Sequence, residues 1–171
     1  MKKNVFVAGM AVMVLTFGMA VIGCDTDGGT DTWSDVTSFS QVNGRWKAPS
    51  SFSGTMQGMS ASVTTNNYIM TFNATAKTLS VSGSSTHKFS GGNINDIWSN
   101  LKEMIGLMAE ELLGATVTFY DATHSYTLVY SNVPLPLTDS DLIETGYQIN
   151  QNGSKLKFAE SGVIEVIYTK L

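Results

Sequence analysis

The chain has one cysteine, three prolines and two histidines in 171 residues. A single cysteine excludes an intrachain disulfide, so stability must come from a buried core. Charge is also scarce, at 14% of residues, and acids outnumber bases by fourteen to ten. Beyond Lys2 and Lys3 the basic residues are Arg45, Lys47, Lys77, Lys88, Lys102, Lys155, Lys157 and Lys170. They are scattered along the sequence, which argues against nucleic acid as a partner and shows no basic patch for anionic headgroups. Catalytic signatures are missing too. No serine sits in a Gly-x-Ser-x-Gly elbow, and no glycine-rich phosphate loop occurs. His87 and His124 lie near predicted loops with no cysteine ligand close by, so they give no metal spacing and read as exposed loop histidines. The expectation is a non-enzymatic protein that needs no cofactor.

What the chain does have begins at its N-terminus. Lys2 and Lys3 precede an apolar run from Val5 to Ile22, the pattern of an export signal. The run is long enough for a short membrane span, but the residues after it are Asp25, Asp27, Asp31 and Asp35 rather than a positive stop-transfer cluster. It ends in Val21-Ile22-Gly23-Cys24. This resembles the bacterial lipobox, in which a small residue precedes an obligatory cysteine. The resemblance implies cleavage between Gly23 and Cys24, a diacylglyceryl thioether on Cys24 and often an acylated amino terminus. Each buried CH₂ contributes about 0.8 kcal/mol, so two or three chains anchor where one is marginal. The expected location is a bacterial cell envelope, with the mature protein tethered to the outer or the inner membrane outside the cytoplasm. Removing residues 1–23 leaves 148 residues with eight bases and fourteen acids, enough for one domain. Residues 24–40 are polar, aperiodic and glycine-containing, and read as a flexible tether.

Residues 41–171 alternate mostly with period two, the strand signal. Asn43 to Ala48 is a first strand. Met59, Ala61 and Val63 share a face. Thr65-Asn66-Asn67 reads as a turn, after which Tyr68, Met70 and Phe72 fall on one side. Leu79 and Val81, Val117 and Phe119, and then Tyr126, Leu128 and Tyr130 continue the pattern. Tyr147 and Ile149 lead through Asn152-Gly153 to Leu156 and Phe158, which predicts a type I′ hairpin. Ile164, Val166 and Tyr168 close the chain. Pro134 and Pro136 confine Val133 to Leu137 to an edge strand, a loop plugging a barrel mouth, or a partner contact. One segment differs. From Asn93 to Leu113 the apolar residues, among them Ile94, Trp98, Leu101, Ile105 and Met108, recur every three or four positions, as on one helix face. Asn93 is a candidate N-cap and Gly114 a candidate stop. Glu110 and Glu111 near its end read as a solvated face.

Asn43-Gly44-Arg45-Trp46 on the first strand is similar to the Gly-x-Trp signature of lipocalins and their bacterial relatives. That resemblance implies an antiparallel up-and-down β-barrel of about eight strands. It also implies a basic residue from the last strand packed over the tryptophan, and Lys170 can take that place by cation–π contact. The family usually offers arginine there, and places its helix before the final strand rather than in mid-chain. A β-sandwich or an open sheet fits the same strand order. Trp46, Met70, Phe72, Trp98, Met104 and Met108 are the candidate lining of an apolar pocket, with ordinary core packing as the competing role. Two functions follow: a small apolar ligand or a protein partner bound by a membrane-tethered barrel, or an interaction lipoprotein with a filled core.

Overall fold

The computed structural model describes residues 31–56, 59–158 and 166–171. Among these residues the elements are eleven strands, three α-helices and a single 3₁₀ turn at Asp121–Thr123. The strands are β1 (Trp33–Asp35), β2 (Gly44–Lys47), β3 (Ser51–Met56), β4 (Met59–Asn73), β5 (Thr78–Gly91) and β6 (Ala115–Tyr120). They continue with β7 (Ser125–Ser131), β8 (Leu135–Pro136), β9 (Tyr147–Asn150), β10 (Lys155–Phe158) and β11 (Val166–Lys170). The helices are α1 (Phe39–Val42), α2 (Ile94–Leu113) and α3 (Asp139–Thr145).

All pairings are antiparallel, in one sheet of order β1-β9-β10-β11-β2-β4-β5-β7-β6. β3 adds to β4, and β8 adds to β5. The sheet is open, with β1 and β6 at its two ends, so the eight-stranded closed barrel is corrected to an eleven-stranded open sheet. The miscount has a simple cause. β1 and β3 are short or hydroxyl-rich and lack apolar alternation, so the sequence does not show them as strands, while β8 falls in the Val133 to Leu137 segment that allows an edge strand. β4 and β5 form a long ribbon pairing from Met59↔Gly91 to Asn73↔Thr78. The expected turn at Thr65-Asn66-Asn67 is instead a β-bulge within β4, where the register shifts between Asn66 and Ile69 and Asn67 takes φ 50°.

One face of the sheet carries the core. Met59, Ala61, Met70 and Phe72 of β4, Leu79, Val81 and Phe89 of β5, and Tyr126, Leu128 and Tyr130 of β7 are buried on it. α2 covers this face through Ile94, Trp98, Leu101, Ile105 and Ala109, all buried. Its start follows Asn93, although the Asn93 side chain makes no capping bond, and Gly114 ends it in the left-handed region as expected. Sequence periodicity showed only this helix. α1 and α3 are the two others, and they bury Phe39, Val42 and Leu142.

The folded domain reaches further back than composition indicated. Residues 33–35 pair with β9, while Val36 and Phe39 are buried in the core. The tether read as 24–40 thus overlaps ordered structure from Trp33 onward; residues 24–30 lie outside the described residues, as do the signal segment, Gly23 and Cys24. The hairpin at Asn152-Gly153 forms between β9 and β10, but not as type I′. Of the two central residues only Gly153 has positive φ, at 69°, and the loop spans four residues, Gln151 to Ser154. Asn150 stabilises it: its buried Oδ1 accepts from Ser154 N and from Lys155 N, both at 2.9 Å. Pro134 and Pro136 do lie at an edge, where Leu135–Pro136 pairs with Thr78 and Leu79.

Candidate functional site

The six candidate pocket residues divide into two packed groups. Trp46, Met70 and Phe72 are almost wholly buried. Trp46 Nε1 donates to the Val42 carbonyl at 2.7 Å, and the Lys170 Nζ stands 5.2 Å from its ring centroid. Lys170 and Trp46 are direct cross-strand partners of β11 and β2. Phe72 meets the rings of Phe39 and Tyr147 edge-on at 6.2 and 5.8 Å, and the Tyr147 hydroxyl points at Met70 Sδ, 3.9 Å away. Trp98, Met104 and Met108 lie on α2. Trp98 packs against Phe89, Phe119 and His124, and its Nε1 donates to Asp121 Oδ1 at 2.7 Å. Met104 and Met108 are half-buried. These residues behave as core at two places on the sheet.

A second constellation, which apolar periodicity missed, lies on the same inner face. Gly83 of β5 pairs with Tyr130 of β7, and the bulged stretch of β4 brings Tyr68 beside both. Gly83 has φ 90°, and a Cβ built there would stand 2.1 Å from the Asn67 carbonyl oxygen. The rings of Tyr68 and Tyr130 meet edge-on at 5.1 Å. Tyr168 of β11 joins from the other side at 6.4 Å from Tyr68. The hydroxyl of Tyr130 lies 3.2 Å from Ser85 Oγ, which lies 3.0 Å from His87 Nε2. His87 stacks flat on Tyr126, its direct partner on β7, at 4.6 Å and 9°. A line of hydroxyls therefore runs from Tyr68 through Tyr130 and Ser85 to an imidazole.

The electrostatics follow from burial. Desolvation pushes His87 down to about 4 and Tyr130 up to about 12, and it raises Tyr68, Tyr126 and Tyr168 as well. Every group of the line is uncharged at neutral pH. Ser85 and Tyr130 are buried, whereas Tyr68, Tyr168 and His87 keep partial contact with solvent. His87 is therefore not an exposed loop residue. It lies within β5, between β4 and β7, where its neighbours Gly83, Ser85 and Thr86 carry no apolar alternation to mark a strand. His124 does sit at a turn, in the left-handed region that ends the 3₁₀ turn, and its ring meets Trp98 edge-on. The spacing of Ser85 and His87 suits a nucleophile and base, but a buried serine beside an imidazole poised near 4 makes a weak pair. Among the described residues no three His, Cys, Asp or Glu side chains gather as a metal site, and no helix is long and apolar enough to cross a membrane. The side chains of Glu110 and Glu111 lie outside the described residues.

The chain matches no family model, no curated protein and no solved structure.

Proposed function

We propose that this chain is an exported bacterial lipoprotein, cleaved before Cys24 and held by lipid on that cysteine to an envelope membrane. Its β domain binds a small, uncharged, largely apolar ligand and does no chemistry on it. The observation that carries the binding reading is the tyrosine–serine–histidine line. Aromatic walls surround neutral hydroxyls there, at a level of the inner face where Tyr68, Tyr168 and His87 remain half-open. Ligand sites combine apolar walls with a few placed polar groups in this way. An affinity with the lipocalin-like group is supported by the Lys170–Trp46 contact that the resemblance implies, while the open sheet departs from that pattern.

The alternative, an interaction lipoprotein with a filled core, is favoured by the near-complete burial of Trp46, Met70 and Phe72. Native mass spectrometry of the gently purified mature protein separates the two. A bound apolar molecule lost in Tyr68→Ala supports the ligand reading, and a clean apo mass at all loadings supports the filled core. The anchor is tested by Cys24→Ser, which should leave an unprocessed precursor without lipid label; normal cleavage and release would refute it.

A further inference from the structure

Six of the eight basic residues beyond the signal segment belong to a single end of the domain, although the sequence scatters them. Lys155 and Lys157 alternate along β10, and Arg45 and Lys47 alternate along β2. Only β11 lies between these strands. Lys155 pairs with Thr169, and Thr169 pairs with Lys47, so the four residues occupy one face of three adjacent strands. Strands in a sheet are about 4.8 Å apart, which places Lys155 and Lys47 roughly 10 Å from each other. This face is opposite the core: Leu156 and Trp46, the alternating neighbours, are fully buried. Arg45 and Lys47 are exposed and have no carboxylate partner among the described residues. Lys170 and Lys77 lie at the same end but off this face: Lys170 stands over Trp46 on the core side, and Lys77 is paired with Asp139.

The chain enters the domain at this same place. Lys155 Nζ holds the Asp31 carboxylate at 3.0 Å, Lys157 Nζ stands 4.6 Å from the Trp33 ring centroid, and Gln151 N donates to the Thr32 carbonyl at 3.0 Å. Only six residues separate Cys24 from Asp31. Even fully extended, seven steps at about 3.5 Å reach roughly 25 Å. A lipid on Cys24 therefore limits Asp31, and with it the start of β10, to within roughly 25 Å of the bilayer, a shorter reach than a tether running to Ser40 would give.

We propose that the outer face of β10, β11 and β2 docks on the anionic headgroup surface of the membrane that holds the lipid anchor. This rests on the lipoprotein reading above. Each Lys or Arg near an anionic leaflet is worth about fivefold in partitioning, and the attraction fades within a Debye length, about 8 Å in physiological salt. The docked domain stands with the Gln151–Ser154 turn toward the bilayer. The 3₁₀ turn at Asp121–Thr123 is turned away, since it lies beside the Phe89 end of β5.

The test uses the mature, lipidated full chain in phosphatidylcholine vesicles with and without phosphatidylglycerol. Exposed Gln151 and Ala122 are replaced singly by cysteine and labelled, and quenching by a headgroup-attached acceptor is read. With phosphatidylglycerol, the Gln151→Cys probe should be quenched about threefold more than the Ala122→Cys probe, and Arg45→Glu with Lys47→Glu should bring the two together. Equal quenching on anionic vesicles, or a difference that survives the charge reversal, overturns the docking. The mass of the N-terminal peptide reads the anchor separately. Lipid present with equal quenching refutes the docking alone, while its absence refutes the lipoprotein reading and this proposal with it.

Discussion

Two residues on β5 show how much a single position decides. Gly83 sits where the β4 bulge presses the Asn67 carbonyl against the neighbouring strand. A methyl group cannot fit, and φ 90° is unfavourable for any residue with a Cβ. Gly83→Ala should therefore cost about 2–4 kcal/mol, seen as a lower urea midpoint with an unchanged slope, and should separate the Tyr68 and Tyr130 rings. His87 titrates near 4 in the fold against about 6.5 when unfolded. The unfolded chain then binds more protons between those values, so stability rises with pH across the window and is lost as pH falls from 6.5 toward 4. The loss is at most about 3 kcal/mol, reduced by the part of the ring still in water. His87→Phe, which keeps the stack on Tyr126, should flatten that dependence in denaturation curves taken from pH 7 to pH 4. If the slope is unchanged in the variant, another group carries it. Neither residue was legible as special. Gly83 reads as a turn glycine among serines, and only its strand partners reveal the close approach.

At the scale of elements, legibility followed apolar periodicity closely. α2, with eight apolar residues on one face, and the strands around Tyr68, Leu79, Tyr126 and Leu156 were plain in the sequence. α1 and α3 were not, because four and seven residues hold too few turns to show a period. Their caps nonetheless carry a local signal. Ser38 is followed three residues later by Gln41, whose Oε1 accepts from Ser38 N at 3.0 Å. Thr138 is followed by Asp141, whose Oδ2 accepts from Thr138 N at 2.6 Å while Thr138 Oγ1 accepts from Asp141 N at 3.3 Å. These are reciprocal capping pairs, readable in principle as a hydroxyl residue with a partner three positions on. Thr138→Ala should cost about 1 kcal/mol, whereas Thr138→Ser should be nearly neutral, as thermal unfolding would show. A cost shared equally by both would mean that the methyl group matters and the cap does not. The six candidate pocket residues were open to both roles in the sequence. Trp46, Phe72 and Trp98 look like a cavity lining in sequence because large residues are shared by pockets and cores, and only their ring contacts distinguish the roles.

For the whole molecule, the decisive difference is where folded structure begins. Composition placed the boundary near residue 40 because Asp31 to Ser40 holds few apolar residues. Those few are well used. β1 completes one end of the sheet against β9, and Val36 and Phe39 are 1% and 0% exposed. Phe39 also receives the Lys77 ammonium over its ring at 5.2 Å, and its amide donates to Asp139 Oδ1 at 3.0 Å, joining α1 to α3. Burying a valine and a phenylalanine contributes about 1.5–3 kcal/mol each, against a net stability of about 5–15 kcal/mol for a domain. A chain cut to begin at Gln41 should therefore lose about 4 kcal/mol or more relative to one beginning at Asp31, before counting the β1 pairing and the exposed edge of β9. In circular dichroism the longer chain should melt in a single cooperative step, and the shorter one at least ten degrees lower or without a clear transition. Equal melting temperatures would show that residues 31–40 merely rest on the domain.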